Sequence, residues 1–420
     1  MIRQKLLPNN LTWVKNRNDS SQQPDVTRVR TSPRVSGPVR VRGSIRVSHG
    51  FTMFVSWRIR EKKREIYGGW IDANCAIAIL DDRGVRTYQA GEFFPPGCFI
   101  EPVEDSIHGW VMRVSSFLLP EVQFAIEANG SLAEISSTPY PFSVSVKHRR
   151  INSVSTDGTR IPVDCYGELE QCSPTFVHVY GGFGKSNASF FSSQIASRWL
   201  DQGFNIALIH TRGGAEYGTA WHEQARLQGR ALVRYDVESA IHTLQDQKVC
   251  TPQQTFLHGM SHGALVVAST AMHSPSLASN YLCRVPIANT RNIHIDDLSH
   301  KWITEYGDSR VSDWEAFMKK EDPIAVSING SLKDTAWFIS AYVDDEVTPV
   351  SHADLLVEKL RANLAAVTYY RYSSPGTHQG AVSSQVRQEH SDQFWDYLTT
   401  QAGKTNKLLC EPALAGSHAR

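Results

Sequence analysis

The pentapeptide Gly259-Met260-Ser261-His262-Gly263 carries the most pointed chemistry in this 420-residue chain. The apolar run Thr255-Phe256-Leu257 precedes it and a helical pattern over residues 264–272 follows it, the context a nucleophile elbow requires. The turn is so tight that its flanking positions must be small. It lifts the serine hydroxyl off a sheet edge at the amino end of a helix, where the dipole favours developing negative charge. A serine hydroxyl is a weak nucleophile at neutral pH and needs a base. On folds with such an elbow the acid and then the histidine follow the serine, each just past a later strand. Asp344-Asp345 directly follows the strand pattern of residues 337–343, and His378 lies in the Gly- and Pro-containing loop after the strand pattern of residues 366–372. Ordered in this way, the three groups point to acyl transfer through a covalent intermediate. His262 competes as base only weakly, since the residue after such a serine turns its backbone N–H, not its side chain, toward an oxyanion.

The elements that must position these residues can be read around them. Beyond residue 150, short apolar runs alternate with helical patterns. Strands are expected at 175–179, 204–209, 255–257, 337–343 and 366–372, and helices at 190–200, 264–272, 351–363 and 385–400. Val233, Val237, Ala240, Ile241 and Leu244 recur on one helical face. Strand–helix alternation of this length implies a mostly parallel, doubly wound sheet covered on both faces.

The first third reads differently. Residues 51–57 are β-rich. Residues 76–80 and 85–88 flank a turn closing on Gly84, and residues 122–126 and 132–135 flank Asn129-Gly130, a strong hairpin signal. Several strands at roughly ten-residue spacing suggest meander sheets of the kind that build propeller blades. Charge divides the same way: residues 1–150 hold 21 Lys/Arg and 14 Asp/Glu, whereas residues 151–420 hold 22 and 28.

Composition excludes several function classes. The formal charge is +1, and the basic arm at the amino terminus has few interleaved aromatics, so no nucleic-acid partner is expected. No apolar run is long enough for a membrane span and the first residues, Met1-Ile2-Arg3-Gln4-Lys5, lack a secretory core. No membrane partner and a cytoplasmic location are therefore expected. Seven cysteines without a Cys-x-x-Cys fit reduced thiols rather than disulfides or zinc. Gly184-Lys185-Ser186 lacks the first glycine of a phosphate loop, because position 179 is valine. His294 and His300 have no metal-ligand spacing. No cofactor and no metal are expected.

Several separated motifs together resemble the catalytic domain of the prolyl oligopeptidase family. These are Thr156-Asp157-Gly158-Thr159 with Ile161-Pro162, Tyr180-Gly181-Gly182-Phe183-Gly184, and Arg212-Gly213-Gly214-Ala215-Glu216-Tyr217-Gly218 with Trp221-His222. Two more are Trp302-Ile303-Thr304-Glu305-Tyr306-Gly307 and Asp344-Asp345 with Val347 and Pro349. The resemblance implies Ser261 as nucleophile, Asp344 as orienting acid (the family uses the first of such a pair) and His378 as base. It implies an oxyanion held by the Tyr180 hydroxyl and the His262 backbone N–H. Phe183, Trp302, Tyr306 and Val347 would form a flat slot suited to a proline ring. Glu346 stands in the binding region where the family has an arginine that holds the substrate backbone, and His262 stands where it has asparagine. The family also places a complete propeller before the hydrolase, and here the preceding segment is too short for one.

The expected architecture is therefore an α/β-hydrolase fold with an N-terminal β-rich partial propeller remnant. The expected division is a basic arm (1–45), partial blades (46–145), the catalytic domain (146–403) and a flexible tail (404–420). The expected activity is that of a serine peptidase on short peptides, with post-proline cutting implied by the slot, and self-association or another chain covering the open β edges. Two alternatives share the residues: an esterase or peptide-cyclising acyl transferase on the same triad, and a non-catalytic degenerate homologue.

Overall fold

The structure is a computed structural model that describes residues 39–47, 52–61, 64–137, 146–169, 171–189, 192–295, 299–311, 313–373 and 375–410. Residues 1–38 of the expected arm and residues 411–420 of the expected tail lie outside the described residues. The chain divides into two compact units, one of residues 1–140, 188–191 and 215–221, the other of residues 141–187, 192–214 and 222–420.

In the first unit, β1 (Val39–Arg46), β2 (Thr52–Glu61), β3 (Arg64–Ile71), β4 (Asn74–Asp81) and β5 (Gly84–Gln89) form an antiparallel meander in chain order. A second meander follows, of β6 (Phe99–Asp105), β7 (Gly109–Ser115), β8 (Val122–Ile126) and β9 (Leu132–Ser137). Strand alternation explains their packing. Ile77 and Ile79 enter a core shared with Ile100, Met112 and Val114 of the second sheet. Ala76 and Ala78 face the opposite side with Met53 and Val55 and are equally buried. Both expected hairpins form, with Asp81 paired to Gly84 and Ile126 to Leu132. The turn at Gly130 also joins the sheets, its carbonyl accepting from Arg86 Nε and Tyr88 Oη, each at 3.1 Å. Neither sheet closes on itself among the described residues. Tyr217, from the Arg-Gly-Gly motif, belongs to this unit and donates its hydroxyl to Asp72 at 2.8 Å. One boundary moves: strand β1 begins at Val39, inside the segment expected as arm, because residues 44–46 pair with residues 52–54.

The second unit is an eight-stranded sheet built from β10 (Lys147–Val154), β11 (Arg160–Gly167), β12 (Thr175–His178), β13 (Asn205–Ile209), β14 (Thr255–Met260), β15 (Asn280–Arg284), β16 (Ala336–Tyr342) and β17 (Ala366–Tyr372). The spatial order is β10-β11-β13-β12-β14-β15-β16-β17. From β13 to β17 every neighbouring pair is parallel, whereas β11 runs antiparallel to β10 and β13. This is the order of an α/β-hydrolase sheet. The helices that follow its strands are α1 (Ser193–Arg198), α2 (Thr219–Glu223, of which residues 219–221 are counted in the first unit), α3 (Arg230–Asp246), α4 (His262–His273), α5 (Ser299–Tyr306), α6 (Val350–Ala362) and α7 (Ser384–Cys410). Val233, Val237, Ala240, Ile241 and Leu244 of α3 are all buried, as their spacing requires. Helix α7 runs to Cys410, so residues 404–410 continue a helix where a loose tail is expected.

A buried ion pair ties this unit together. Arg212, after β13, is 1% exposed and Asp236 of α3 is 0% exposed. Arg212 donates from its backbone N and Nε to Asp236 Oδ2, each at 3.0 Å, and from Nη2 to Oδ1 at 2.6 Å. It also reaches Ser155 and Asp157 in the β10–β11 turn, and the guanidinium beside Asp157, more than that residue's slight burial, lowers its carboxyl to about 2. Leaving one charge of such a pair buried and alone is costly. Asp236→Ala is expected to lose about 3–5 kcal/mol in urea unfolding. Lys319→Ala, which removes the surface pair with Glu315, should lose less than about 1 kcal/mol.

Candidate active site

Ser261 occupies a strained turn. Its φ of 58° and ψ of −118° are a conformation that a residue with a Cβ adopts only when its surroundings force it. The forcing contacts are those of the two glycines. A Cβ on Gly259 would lie 2.2 Å from the backbone of Gly263, and one on Gly263 would lie 2.5 Å from the carbonyl oxygen of Val179, the residue just past β12. Strand and helix therefore meet more closely than any other residue type allows, which confirms the sequence argument for small flanking residues. The Ser261 N–H donates to Arg284 O at 2.9 Å and its carbonyl accepts from Ile287 N at 3.2 Å. The peptide is held on both sides, and Ser261 is buried to 9% exposure.

The same row of backbone bonds places the acid and the base. Past Ser261 N–Arg284 O come Val285 N to Ser340 O at 2.7 Å and Val343 N to Tyr372 O at 3.0 Å. The loops leaving β14, β16 and β17 thus start side by side at the carboxyl edge of the sheet. Asp345, not Asp344, meets His378: Nδ1 lies 2.8 Å from Asp345 Oδ2. Asp344 is exposed, whereas Asp345 is 6% exposed. The reason is local. Asp345 N bonds to Tyr342 O at 3.3 Å, a turn that swings the second carboxylate inward. Its Oδ1 then accepts from Val347 N at 2.8 Å and Thr348 N at 2.9 Å, which locks it. An Asp accepting from the amides two and three residues on is a turn signature, and Asp345-x-x-Thr348 is where it could have been sought in the sequence. His378 sits at the tip of a short hairpin in which Gly376 pairs with Ala381 and Thr377 with Gly380. A Cβ on Gly376 would lie 2.1 Å from the Tyr342 ring, so the hairpin lies directly on that ring.

His262 is a structural acceptor and donor, not a base. It is 0% exposed, and burial, with Arg230 adding to it, lowers its pKa to about 3. Nε2 lies 3.0 Å from Gly181 O, which can only accept, so this nitrogen carries the proton. Nδ1 then accepts from Tyr306 Oη at 2.6 Å. The Tyr180–Phe183 loop is pinned from two further sides. Arg230 of α3 donates from Nη2 to Gly181 O at 2.6 Å, and Phe183 N donates to Glu305 Oε1 at 3.0 Å. Glu305 also takes Arg230 Nη1 at 3.1 Å and His222 Nε2 at 2.7 Å. Burial opposes its charge, yet these partners lower its carboxyl to about 2. Glu305, Arg230 and His222 have roles the sequence motifs did not assign; His222 and Glu305 lie inside the Trp221-His222 and Trp302–Gly307 motifs, whereas Arg230 lies in none of them. Tyr180 is held by this loop. Burial, then Glu305, raises its pKa, so its hydroxyl stays a neutral donor. The His262 backbone N–H opens α4 and has no partner within the helix by geometry.

The expected aromatic slot is largely filled. Tyr306 is 0% and Trp302 3% exposed, both in a cluster with Leu265, Ile287, Ile293, Trp314 and Met318. Phe183 and Val347 stay half-buried and Glu346 is exposed. Tyr306 spends its hydroxyl on His262 and presents no surface to a substrate in this conformation. Among the described residues, no three His, Cys, Asp or Glu side chains gather as metal ligands, and no helix is long and apolar enough to cross a membrane.

Residues 189–405 match the prolyl oligopeptidase family. An uncharacterized peptidase of Sinorhizobium fredii is 27% identical over 284 residues, which cover 66% of this chain and 38% of the relative. A prolyl endopeptidase of Elizabethkingia miricola is 25% identical, over 66% of this chain and 41% of the relative. Oligopeptidase B from Leishmania major superposes with a TM-score of 0.74 at 20% identity, over 84% of this chain and 52% of the other. A post-proline cleaving enzyme from Rickettsia typhi gives 0.73 at 20% identity, over 86% and 53%. The chain spans about two fifths of the length of these curated relatives and about half that of the solved ones. The fold is accordingly an α/β-hydrolase with an N-terminal β-rich partial propeller.

Burial keeps three imidazoles neutral in the folded chain: His262 near pKa 3, and His178 and His352 each lowered to about 4. An unfolded histidine takes up its proton near pH ~6.5, so below that the unfolded chain binds protons the folded chain refuses. Stability should be fully present above about pH 6.5 and decline as pH falls toward 4. Thermal midpoints measured from about pH 8 to about pH 5 check this, with the drop confined to the acid half of the range.

Proposed function

The chain belongs to the prolyl oligopeptidase family of serine peptidases, and we propose that it is itself a peptidase acting on short peptides, with Ser261, His378 and Asp345 as its triad. The observation that carries the reading is the His378–Asp345 hydrogen bond at the sheet edge that also holds the strained Ser261.

The chemistry follows from those positions. Asp345 Oδ2 accepts the Nδ1 proton of His378, which leaves the Nε2 lone pair as the base. As Ser261 Oγ attacks the scissile carbonyl carbon, its proton passes to Nε2 and the carbonyl π electrons move to oxygen. The Tyr180 hydroxyl and the His262 N–H donate to that oxyanion, and one such donor is worth about 3 kcal/mol of barrier. Collapse of the tetrahedral intermediate breaks the C–N bond, and Nε2 returns the proton to the departing amine. Water then attacks the acyl-enzyme with His378 again as base, releasing the acid and restoring Ser261. No cofactor enters this cycle.

Cleavage after proline is the finer reading. The half-buried Phe183, packed against the Trp302 cluster, and the half-buried Val347 support an apolar acyl-side subsite, and the exposed Glu346 adds negative charge to the loop of Val347. Turnover of peptide amides that differ only in the residue before the cut tests this reading. A preference for proline upholds it and a preference for Lys or Arg replaces it.

Labelling of Ser261 by a fluorophosphonate probe is the direct test of the triad. The folded wild-type chain should label and Ser261→Ala should not; an unlabelled folded wild type overturns the proposal. Asp345→Asn should lower kcat by about 10⁴-fold, whereas Asp344→Asn should stay within about threefold of wild type.

A further inference from the structure

Met260 is the last residue of β14 and directly precedes Ser261, yet its thioether enters no step of the proposed reaction. Among the described residues, Met53, Met112, Met272 and Met318 are each 0% exposed, whereas Met260 keeps part of its surface in water. A thioether has no proton to lose, so access alone governs its reaction with a peroxide. The thiols are poorer targets. Cys75, Cys98, Cys165, Cys250 and Cys283 are buried, and burial raises each pKa and withholds the reactive thiolate. Cys172 is exposed, but it precedes β12 and so stands at the opposite edge of the sheet from Ser261.

The contacts of Met260 make the position sensitive. It packs against the apolar cluster of Val285, Tyr342 and Ala381. The Tyr342 ring underlies the hairpin that carries His378, where a Cβ on Gly376 would lie 2.1 Å from it. Ala381 belongs to that hairpin and pairs with Gly376. Met260 is thus joined to the nucleophile by one peptide bond and to the base through Tyr342 and Ala381. Val285 and Ala381 have no side-chain donor, and the Tyr342 hydroxyl is engaged 2.9 Å from His390 Nδ1. An oxygen placed on the sulfur would be a polar group in apolar surroundings, which is unfavourable.

We propose that Met260 is an oxidation site through which a hydroperoxide turns the catalytic edge off. The sulfur lone pair attacks one peroxide oxygen. The O–O bond breaks as the S–O bond forms, and the proton on the transferred oxygen passes to the departing oxygen, which leaves as water when the oxidant is hydrogen peroxide. Sulfur gives up two electrons and the peroxide takes them, leaving methionine sulfoxide. The oxidised side chain turns out of the cluster toward water. Tyr342 and Ala381 then lose a packing partner, and the hairpin no longer holds His378 in line with Ser261. Met260 is in this sense a positioning residue. The effect on rate rests on the peptidase reading, whereas the place of oxidation and its effect on stability do not.

Hydrogen peroxide is the probe, applied to the full chain carrying Cys172→Ser so that the exposed thiol does not contribute. Peptide mapping by mass spectrometry should find one added oxygen on Met260, with Met53, Met112, Met272 and Met318 unmodified while the chain stays folded. The thermal midpoint should fall by about 2–4 °C. Fluorophosphonate labelling, measured well below that midpoint, should slow by about 10- to 100-fold. Methionine sulfoxide reductases acting on both epimers should restore both readings. Met260→Leu, a swap of similar volume, should lose neither when compared with its own untreated sample. A folded chain whose Met260 stays unmodified overturns the proposal. So does an oxidised Met260 that leaves midpoint and labelling unchanged, or a loss that persists in Met260→Leu. If the untreated chain does not label, the triad reading has failed, and mapping with the midpoint still decides whether Met260 is the oxidation site.

Discussion

The contact between Gly259 and Gly263 is the constraint on which the catalytic half depends. It lets β14 run straight into α4 with one residue between them, and that residue, Ser261, must then take a backbone conformation it would not choose. The strain is sustained by bonds on both sides, from Arg284 on the neighbouring strand and Ile287 beyond it. A serine on a relaxed loop would have two torsions to explore. Here its Cα–Cβ vector is set by the sheet, which is what an attack geometry needs.

A second constraint sits opposite. The Gly181 carbonyl receives both His262 Nε2 and Arg230 Nη2, and Glu305 balances the charge that Arg230 brings. His262 in this arrangement serves twice. Its side chain holds the Tyr180–Phe183 loop from within the core, and its backbone N–H opens the helix beside Ser261. The residue beside the nucleophile is thus spent on rigidity. This explains why its imidazole, though adjacent to the serine, is chemically quiet: one nitrogen is protonated and engaged, and the other accepts from Tyr306.

The buried arginines of this unit follow one rule. Arg212, Arg230 and Arg234 are each withdrawn from water with a carboxylate in contact, and each pair joins elements distant in the chain. In this low-dielectric setting such pairs specify geometry as much as they stabilise it.

The sequence alone determined the period of the main elements and the tight Gly-x-Ser-x-Gly turn, because these depend on neighbours in the chain: glycines flanking a serine, apolar runs ending at polar loops. It also implied the fold, through strand–helix alternation and separated motifs. Strand β11, with Pro162 inside it, and the short strand β15 gave no periodic signal, since pairing on both sides rather than pattern makes them strands. Only the tertiary structure shows which of Asp344 and Asp345 meets His378. Two adjacent carboxylates are equivalent to any argument from spacing, and the choice came from a turn at Tyr342 and from the reach of a hairpin folded back from another strand. The same holds for Trp302 and Tyr306, whose rings look like a binding surface in the sequence and become core in the fold. Whether an aromatic face meets substrate or leucine is settled by what packs over it, and those residues lie far away along the chain.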